Sequence, residues 1–300
     1  MNLFKGKGLI MVSSSKKTKV AFLSIMSNVF LIVLKVLAGT LSGSVSIISE
    51  AIHSSMDLLA SIIAFIAVKI SAKPADKKHP YGHGKIENVS GVIEGLLIFL
   101  AAFLIIKQAV TKILLPSEVQ QTTVAIGVMV ISSFANAIVS RTIYKVAKEE
   151  DSIALEADAL HLKTDVFTSL GVALGLLILK LTGIAIIDPI VAIIVACLII
   201  KEAYLLCKSA FTPLMDEKLS DEEEEKIRTI IERYEPNIIN FHKLRTRKSG
   251  NIRYIDFHMV VNGELMVRQS HELSQKIEND LGQMLKNTDV NIHIEPNDRL

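Results

Sequence analysis

Cysteine is scarce in this chain of 300 residues, and two kinds of motif are missing from it. The two cysteines, Cys197 and Cys207, exclude a disulfide framework, and we interpret both as small apolar packing residues. No small-residue cleavage site follows the short basic segment before Val20, so that segment is not typical of a secretory signal peptide. The apolar stretches contain neither a His-Glu-x-x-His motif nor a pair of Glu-x-x-His motifs, which a membrane metalloenzyme would need.

Charge is also sparse through the first two hundred residues, where long apolar runs are broken by few ionisable side chains. Half of all residues are hydrophobic and the mean hydropathy is +0.42, which is rare for a soluble chain of this length. Several stretches are long enough to cross a hydrocarbon core of about 30 Å as helices. The predicted spans are Val20–Leu41, Val45–Ile70, Ile86–Leu115, Thr122–Val146, Ser152–Leu181 and Ile186–Leu206.

The connections between these spans differ in their basic residues. The segment before the first span, the connection between the second and third spans, and the connection between the fourth and fifth each carry several Lys or Arg residues. The connections at 39–44, 115–121 and 181–187 carry none. By the positive-inside rule, we expect a multi-pass protein of the plasma membrane with both termini in the cytoplasm.

From about Lys208 the pattern changes to that of a soluble domain. Ser220 and Glu223 predict a capped helix that runs to about Tyr234. Alternating segments predict a β-hairpin, and a second helix and a last strand follow. These later elements are Ile239–Arg247, Arg253–Val261, Val267–Leu285 and Asp289–Glu295.

The predicted fold class is therefore a membrane all-α domain of six transmembrane helices followed by a small cytoplasmic α+β domain. The membrane domain takes residues 1–208, and the cytoplasmic domain, of order α-β-β-α-β, takes residues 209–300. The second part is large enough for a core of its own.

One short pattern, acid-Ala-aliphatic-His-x-x-x-Asp, occurs twice inside the apolar spans, at 50–57 and at 158–165. On a helix each copy presents an imidazole and a carboxylate side by side. Ionisable side chains in a membrane cost about 2.5 to 3.5 kcal/mol each on the insertion scale, and they mark functional sites by default. Two copies that face each other would supply two nitrogen and two oxygen ligands, a set that suits Zn²⁺. These ligands are His53, Asp57, His161 and Asp165.

Two further groups of His and carboxylate residues have the spacing of metal ligands. Asp76, His79 and His83 lie in the connection between the second and third spans, where glycines permit a tight backbone path. Two loop histidines are about as often solvated side chains without a ligand role. The soluble domain adds a third group, consisting of His242, His258, His271, His293 and Glu295.

Three blocks of sequence together resemble the cation diffusion facilitator family of divalent-metal/proton antiporters. The first block is Gly43-Ser44-Val45-Ser46 leading into His53-x-x-x-Asp57, and the second is the highly specific run His-Pro-Tyr-Gly-His-Gly-Lys-Ile-Glu at 79–87. The third block runs from Ala157 to Asp165, and the resemblance extends from the first span to Glu295.

The resemblance implies a role for each of the three ligand groups. The duplicated His and Asp residues would form the transport site, contributed by the second and fifth helices. The loop residues Asp76, His79 and His83 would form a peripheral site. The five residues of the soluble domain would form a two-ion site that bridges the protomers of a homodimer.

The ligand types favour Zn²⁺ as the transported and regulatory ion, because imidazole suits zinc better than it suits the harder Mn²⁺. Mn²⁺, Fe²⁺, Cd²⁺ and Co²⁺ remain alternatives. The other expected partners are protons, the lipid membrane and a second copy of the chain, and no nucleic acid is expected.

Metal and protons compete for the same ligand atoms, since the ligands must be deprotonated to coordinate. Competition at an alternately exposed site predicts antiport by a secondary active transporter rather than an enzyme, with His53 and His161 as proton carriers. Two other functions stay open: a membrane metalloenzyme, and a metal sensor whose membrane site is dispensable. Glu50 and Asp158 are open to interpretation as proton relays or as salt-bridge partners, and Lys163 as a partner of Glu94.

Overall fold

The computed structural model describes residues 7–42, 45–114, 122–182 and 186–297. Within these ranges some residues are described by their backbone alone, and Glu50 and His53 are among them. The chain divides into two compact units, Met1–Phe211 and Thr212–Leu300.

The first unit consists of long helices that correspond one to one with the predicted spans, so the predicted helical membrane domain is confirmed. The first helix, α1, begins at Lys7, so most of the basic segment before Val20 belongs to its first turns. Lysine is a good helix former, which favours this extension. The helices are α1 Lys7–Ser42, α2 Val45–Ser71, α3 Lys85–Leu114, α4 Thr122–Glu150, α5 Ile153–Thr182 and α6 Ile187–Phe211.

Small residues lie between these helices and large apolar residues lie outside. Ala60, Ala64 and Ala203 are completely buried, whereas Phe103 and Phe134 are 62% and 70% exposed. Small residues let helix backbones approach closely, and exposed phenylalanines suit contact with lipid. By length and composition, three helices among the described residues could cross a membrane: Lys16–Leu37, Lys85–Thr111 and Ile126–Glu150.

The contact between α3 and α6 depends on one glycine. A Cβ atom on Gly95 would collide with Sγ of Cys207, so a larger residue here would require the Cys207 side chain to move. Cys207 therefore packs between helices as expected, whereas Cys197 of the same helix is exposed.

The second unit has the predicted α-β-β-α-β order, preceded by a short 3-10 helix at Thr212–Met215. Ser220 caps its first helix by accepting a hydrogen bond from the backbone N–H of Glu223 at 3.3 Å. The three strands lie in the order β1-β2-β3, with β1 antiparallel and β3 parallel to the central β2. The elements are α7 Asp221–Glu232, β1 Asn240–Ser249, β2 Ile252–Val261, α8 Val267–Met284 and β3 Thr288–Pro296.

The core of this unit lies between one face of the sheet and the two helices. Ile227 and Ile231 of α7, Ile277 of α8, and Ile255 and Phe257 of β2 are at most 1% exposed. Burial alternates from Ile255 to Met259 in the middle of β2, and His258 lies on the face of the sheet opposite Phe257.

Candidate metal centres

The membrane unit holds a buried cluster of ionisable residues contributed by α2 and α5. Asp57, His161 and Asp165 are 5%, 6% and 8% exposed, and one ligand atom from each lies within 4.8 Å of the other two. Nε2 of His161 lies 3.2 Å from Oδ1 of Asp57. Ligand atoms around a tetrahedral zinc ion are about 3.3 Å apart, so this pair already has the separation that a shared ion requires.

A small cavity opens onto this cluster. The volume open to a water-sized sphere is about 10 Å³, which is roughly what one water or one ion requires. Besides the three cluster residues, its lining consists of Thr164 of α5, Ile199 of α6, and Ile98, Ala101 and Ile105 of α3. The cavity thus combines polar ligands on one side with apolar walls on the other.

Three of the four predicted transport ligands therefore lie together. His53 belongs to α2, one helical turn before Asp57, and its side chain lies outside the described residues. The Nδ1 atom of His161 is buried without a hydrogen-bond partner, so nothing in the described structure fixes its tautomer through that atom.

The three predicted loop ligands also lie together, between α2 and α3. Nδ1 of His79 and Nε2 of His83 lie 3.2 and 3.4 Å from the two carboxylate oxygens of Asp76. The imidazole rings are 4.5 Å apart between centroids. Gly82, with a φ of 79°, makes the turn that brings the second histidine back towards the carboxylate.

Local hydrogen bonds hold the loop carboxylate ready to accept a cation. The backbone N–H groups of His79 and Lys78 donate to Oδ1 of Asp76 at 2.7 and 2.8 Å. The bond from His79 is the main cause that holds the pKa of Asp76 below its usual range. Because Asp76 and His79 are about half exposed, this cluster lies open to solvent, unlike the cluster between α2 and α5.

The soluble unit presents a third cluster on one face of its sheet. Strand pairing places His242 opposite His258, and His258 beside His293. Glu295, two residues after His293, lies on the same face, and its carboxylate is 2.7 Å from Nδ1 of His258 and 3.3 Å from Nε2 of His242. His293 is further away, with Nε2 at 3.7 Å from Glu295.

The hydrogen bond with His258 is the main cause that lowers the pKa of Glu295 below its ordinary value. An irregularity in β1 helps to direct His242 towards this carboxylate. The register shifts between His242 and Arg245, and Lys243 has a φ of 52°, which non-glycine residues rarely adopt.

His271 is the one predicted ligand of this group that the structure places elsewhere, on an exposed position of α8. The cluster within one chain therefore comprises His242, His258 and Glu295, with His293 beside it.

The predicted partner of Lys163 is also different. Its ammonium group lies 5.7 Å from the ring centroid of Phe167, one turn later in the same helix, and it forms no ion pair with Glu94 in the described structure. Glu94 is itself completely buried. An acidic residue in the middle of an apolar span was the signal that could have identified it in its own right.

Comparison with known proteins gives two matches to family models, one for each unit. Residues 21–215 match the cation efflux transmembrane domain, and residues 219–297 match the cation efflux protein cytoplasmic domain. Over 276 residues the chain is 34% identical to an uncharacterised transporter of Synechocystis sp., covering 92% of this chain and 89% of that one. Over 273 residues it is 31% identical to the cation-efflux pump FieF of Shewanella oneidensis, covering 91% and 92%.

Two solved structures are similar to the soluble unit. One is the metal-bound C-terminal domain of the CzcD transporter from Thermotoga maritima, at 33% identity and a TM-score of 0.24, covering 25% of this chain and 87% of that one. The other is the cytosolic domain of a cation diffusion facilitator family protein, at 31% identity and a TM-score of 0.24, covering 26% and 92%.

Proposed function

This chain belongs to the cation efflux family, also called the cation diffusion facilitator family, and from that membership we propose that it exports Zn²⁺ from the cytoplasm in exchange for protons. The membership confirms the resemblance of the three sequence blocks and makes the chain a multi-pass cation efflux transporter with a cytoplasmic domain. The choice of ion, the exchange for protons and the residues involved are the content of the proposal.

The observation that carries the proposal is the buried cluster of Asp57, His161 and Asp165. Burying these groups is costly unless a cation compensates the two carboxylates. A dication that bound there would supply that compensation and would lose little by leaving water, because the ligands replace its hydration. His53, one turn before Asp57 on α2, is proposed as the fourth ligand.

Zinc is the proposed ion because the ligand set mixes nitrogen and oxygen donors. Zn²⁺ accepts tetrahedral coordination by imidazole and carboxylate, whereas Mn²⁺ prefers more oxygen ligands. Fe²⁺, Co²⁺ and Cd²⁺ are the alternatives against which transport should be compared.

Exchange for protons follows from charge. Moving a dication out of a cell against an inside-negative potential costs about 4.6 kcal/mol per 100 mV, twice the value for one elementary charge. Protonated His161 cannot coordinate metal through the same nitrogen, so a proton that returns inward can occupy the site that the metal has left. Two protons for each metal would remove the electrical cost completely.

The two other clusters are proposed to serve the transport site from the cytoplasmic side, with both termini in the cytoplasm of a plasma-membrane protein. The loop cluster around Asp76 would hold metal near the entrance. The sheet cluster around Glu295 would bind regulatory metal. His271 is absent from that cluster within one chain, so we propose that a homodimer brings the His271 side chain of each protomer to a shared site.

The test is transport by the full-length protein in sealed liposomes that contain a zinc indicator and a pH indicator. Zinc added outside should enter while protons leave, and Asp57→Asn and Asp165→Asn should each lower zinc entry at least about a hundredfold, because each replaces a charged carboxylate ligand by a neutral amide. Glu149→Gln is the matched control, since it removes an exposed carboxylate of α4 from the same unit.

Zinc entry at the wild-type rate in the Asp57→Asn, Asp165→Asn double variant would contradict the assignment of the site. Zinc entry without any movement of protons would contradict the exchange. A metalloenzyme, or a sensor whose membrane site is dispensable, would give no difference between the double variant and the control.

A further inference from the structure

Two completely buried carboxyl groups lie near the membrane cluster but outside the proposed ligand set. Glu94 of α3 and Asp158 of α5 are both 0% exposed. Oε2 of Glu94 and Oδ2 of Asp158 are buried without a hydrogen-bond partner. Among the described residues, no Lys, Arg or His forms an ion pair with either group.

The partners that these carboxyl groups do have are neutral. The hydroxyl of Ser90 donates to Oε1 of Glu94 at 2.9 Å. The hydroxyls of Ser61 and Ser24 donate to Oδ1 of Asp158 at 2.9 and 3.1 Å. Hydroxyl dipoles satisfy a carboxyl oxygen, but they do not compensate a full negative charge that is removed from water.

The neighbouring charges act in opposite directions: the carboxylate of Asp158 adds to the cost of ionising Glu94, whereas a protonated His161 relieves part of it for both carboxyl groups. The titratable groups whose charges act on Glu94 are Asp158 and His161, both on α5. On α6 the thiol of Cys207 packs against Gly95, the residue after Glu94, and α2 contributes Asp57 to the cavity that Ile98 of α3 and His161 also line. Two carboxylates that repel each other in a medium of low dielectric resist simultaneous ionisation. Their protons are then gained and lost by the pair, and not by either residue alone.

The pair also adjoins a chain of polar groups between helices. The amide of Asn28, on α1, donates to the hydroxyl of Ser61 at 2.8 Å, and Ser61 donates to Asp158. The hydroxyls of Ser24 and Ser61 lie 2.9 Å apart. Ser24 and Ser61, which contact Asp158 directly, are not proposed metal ligands, so the hydrogen bonds of this carboxyl group are separate from the metal cluster.

We propose that Glu94 and Asp158 form a proton-binding site that is separate from the metal ligands and coupled to them through charge. The proposal rests on the metal/proton exchange proposed above and deepens it. When no metal occupies the cluster of Asp57, His161 and Asp165, the pair holds a proton. When a dication binds there, its charge compensates a further negative charge nearby, and the pair releases that proton to water. The proton returns when the metal leaves.

This arrangement would add one elementary charge to the exchange beyond what the imidazoles carry. It would also separate proton binding from metal binding, which at the ligands use the same atoms, because a proton on Glu94 or Asp158 does not block coordination. Metal affinity and proton number could then change independently in variants.

The first experiment measures protons released when metal binds to the full-length protein. Zn²⁺ is added to the detergent-solubilised protein in weakly buffered solution, and bound zinc and released protons are measured together. The same measurement on the Asp57→Asn, Asp165→Asn double variant gives the zinc bound and the protons released at all other sites. These amounts are subtracted from the totals for the wild type. Glu94→Gln should then release fewer protons per zinc at the membrane cluster, by up to about one per chain.

Companion variants distinguish a proton site from a packing role. Glu94→Asp retains a carboxyl group and should release protons as the wild type does. Asp158→Asn should lower proton release like Glu94→Gln, and it serves as the second measurement if the glutamine variant fails to fold. Glu156→Gln, which removes a carboxylate paired with Lys148 at the start of α5, is the matched control and should change nothing.

Equal proton release by the wild type, Glu94→Gln and Asp158→Asn, with zinc still bound, would overturn the proposal and leave metal/proton exchange itself intact. Reduced release in Glu94→Asp as well as Glu94→Gln would also overturn it, because packing would then be the cause. If the Asp57→Asn, Asp165→Asn double variant binds as much zinc as the wild type, the proposed transport site fails instead.

Discussion

The ammonium of Lys17 lies 3.2 Å from a carboxylate oxygen of Glu87, and both side chains are almost completely buried. The same carboxylate accepts hydrogen bonds from the hydroxyls of Ser71, at 2.6 Å, and Ser152. Lys17 lies within α1, Ser71 at the end of α2, Glu87 in the first turn of α3 and Ser152 directly before α5, so one carboxylate joins four helical segments.

Removing this carboxylate should destabilise the membrane unit strongly. Glu87→Ala leaves the buried ammonium of Lys17 without compensation, and breaking a buried ion pair in this way costs about 3 to 5 kcal/mol. Glu87→Gln retains both hydroxyl contacts and should cost less. Thermal unfolding of the purified protein in detergent measures the difference.

The control for this measurement is Glu149→Gln, which breaks the exposed ion pair between Glu149 and Lys16. Exposed pairs contribute about 1 kcal/mol or less. If Glu87→Ala unfolds at the same temperature as this control, the buried ion pair between Lys17 and Glu87 does not stabilise the membrane unit.

Replacing a nitrogen ligand by an oxygen ligand should change which metal is transported. His53→Asp is expected to lower the ratio of Zn²⁺ to Mn²⁺ uptake by about tenfold or more, since Mn²⁺ prefers oxygen donors. Uptake of each ion into liposomes, measured side by side, gives the ratio. An unchanged ratio would mean that His53 is not a ligand of the transported ion.

Zinc should stabilise the soluble unit of the full-length protein through the cluster around Glu295. Zinc at a hundred times its dissociation constant contributes about 2.7 kcal/mol, and a chelator should remove that contribution. Glu295→Gln should abolish the gain, because it removes the charge that lies against both His258 and His242. Calorimetry with and without zinc measures the effect.

Glu272→Gln, at an exposed position of α8, is the control for that experiment and should keep the full stabilisation by zinc. Should Glu295→Gln respond to zinc as strongly as the control, the sheet cluster is not the regulatory site.

The hydroxyl of Tyr234 donates to Asp280 at 2.7 Å, and a dependence of stability on alkaline pH should follow. Burial and then this hydrogen bond raise the pKa of Tyr234 to about 12, above its ordinary value of 10.0. A raised pKa favours the neutral phenol in the folded state, so its contribution is complete below pH 10 and is lost as the pH rises towards 12. The unfolding temperature of Tyr234→Phe should therefore fall less steeply than that of the wild type over this interval.

At neutral pH, Tyr234→Phe should cost about 1 kcal/mol, the usual net contribution of one hydrogen bond. Identical unfolding curves for the wild type and the variant across the alkaline range would show that the phenol does not titrate with folding.

Local signals in the sequence predicted the elements of this fold well. Apolar length defined the helices, because a membrane-spanning segment must satisfy its backbone hydrogen bonds within itself. Alternation and turn residues predicted the hairpin at 239–261. The beginning of α1 at Lys7 was missed, because basic charge marks the side of the membrane and does not end a helix.

The candidate ligands were also predictable, since a repeated His-x-x-x-Asp in an apolar span has a high cost that only a function explains. Their assembly was predicted by resemblance, and the structure brings Asp57 to His161 across 104 residues of sequence. The separation of His271 from the sheet cluster could not be predicted, because it depends on how α8 lies against the sheet.

By itself, the sequence determined the helices, the strands and the residue types that could hold a metal ion, since all of these depend on neighbours in the chain. Only the tertiary structure decided which buried charges meet. Glu87 is paired with Lys17, 70 residues away, whereas the hydrogen-bond partners of Glu94 and Asp158 among the described residues are serine hydroxyls. In a low dielectric, that choice of neighbour decides whether a carboxylate supports the fold or is free to carry a proton.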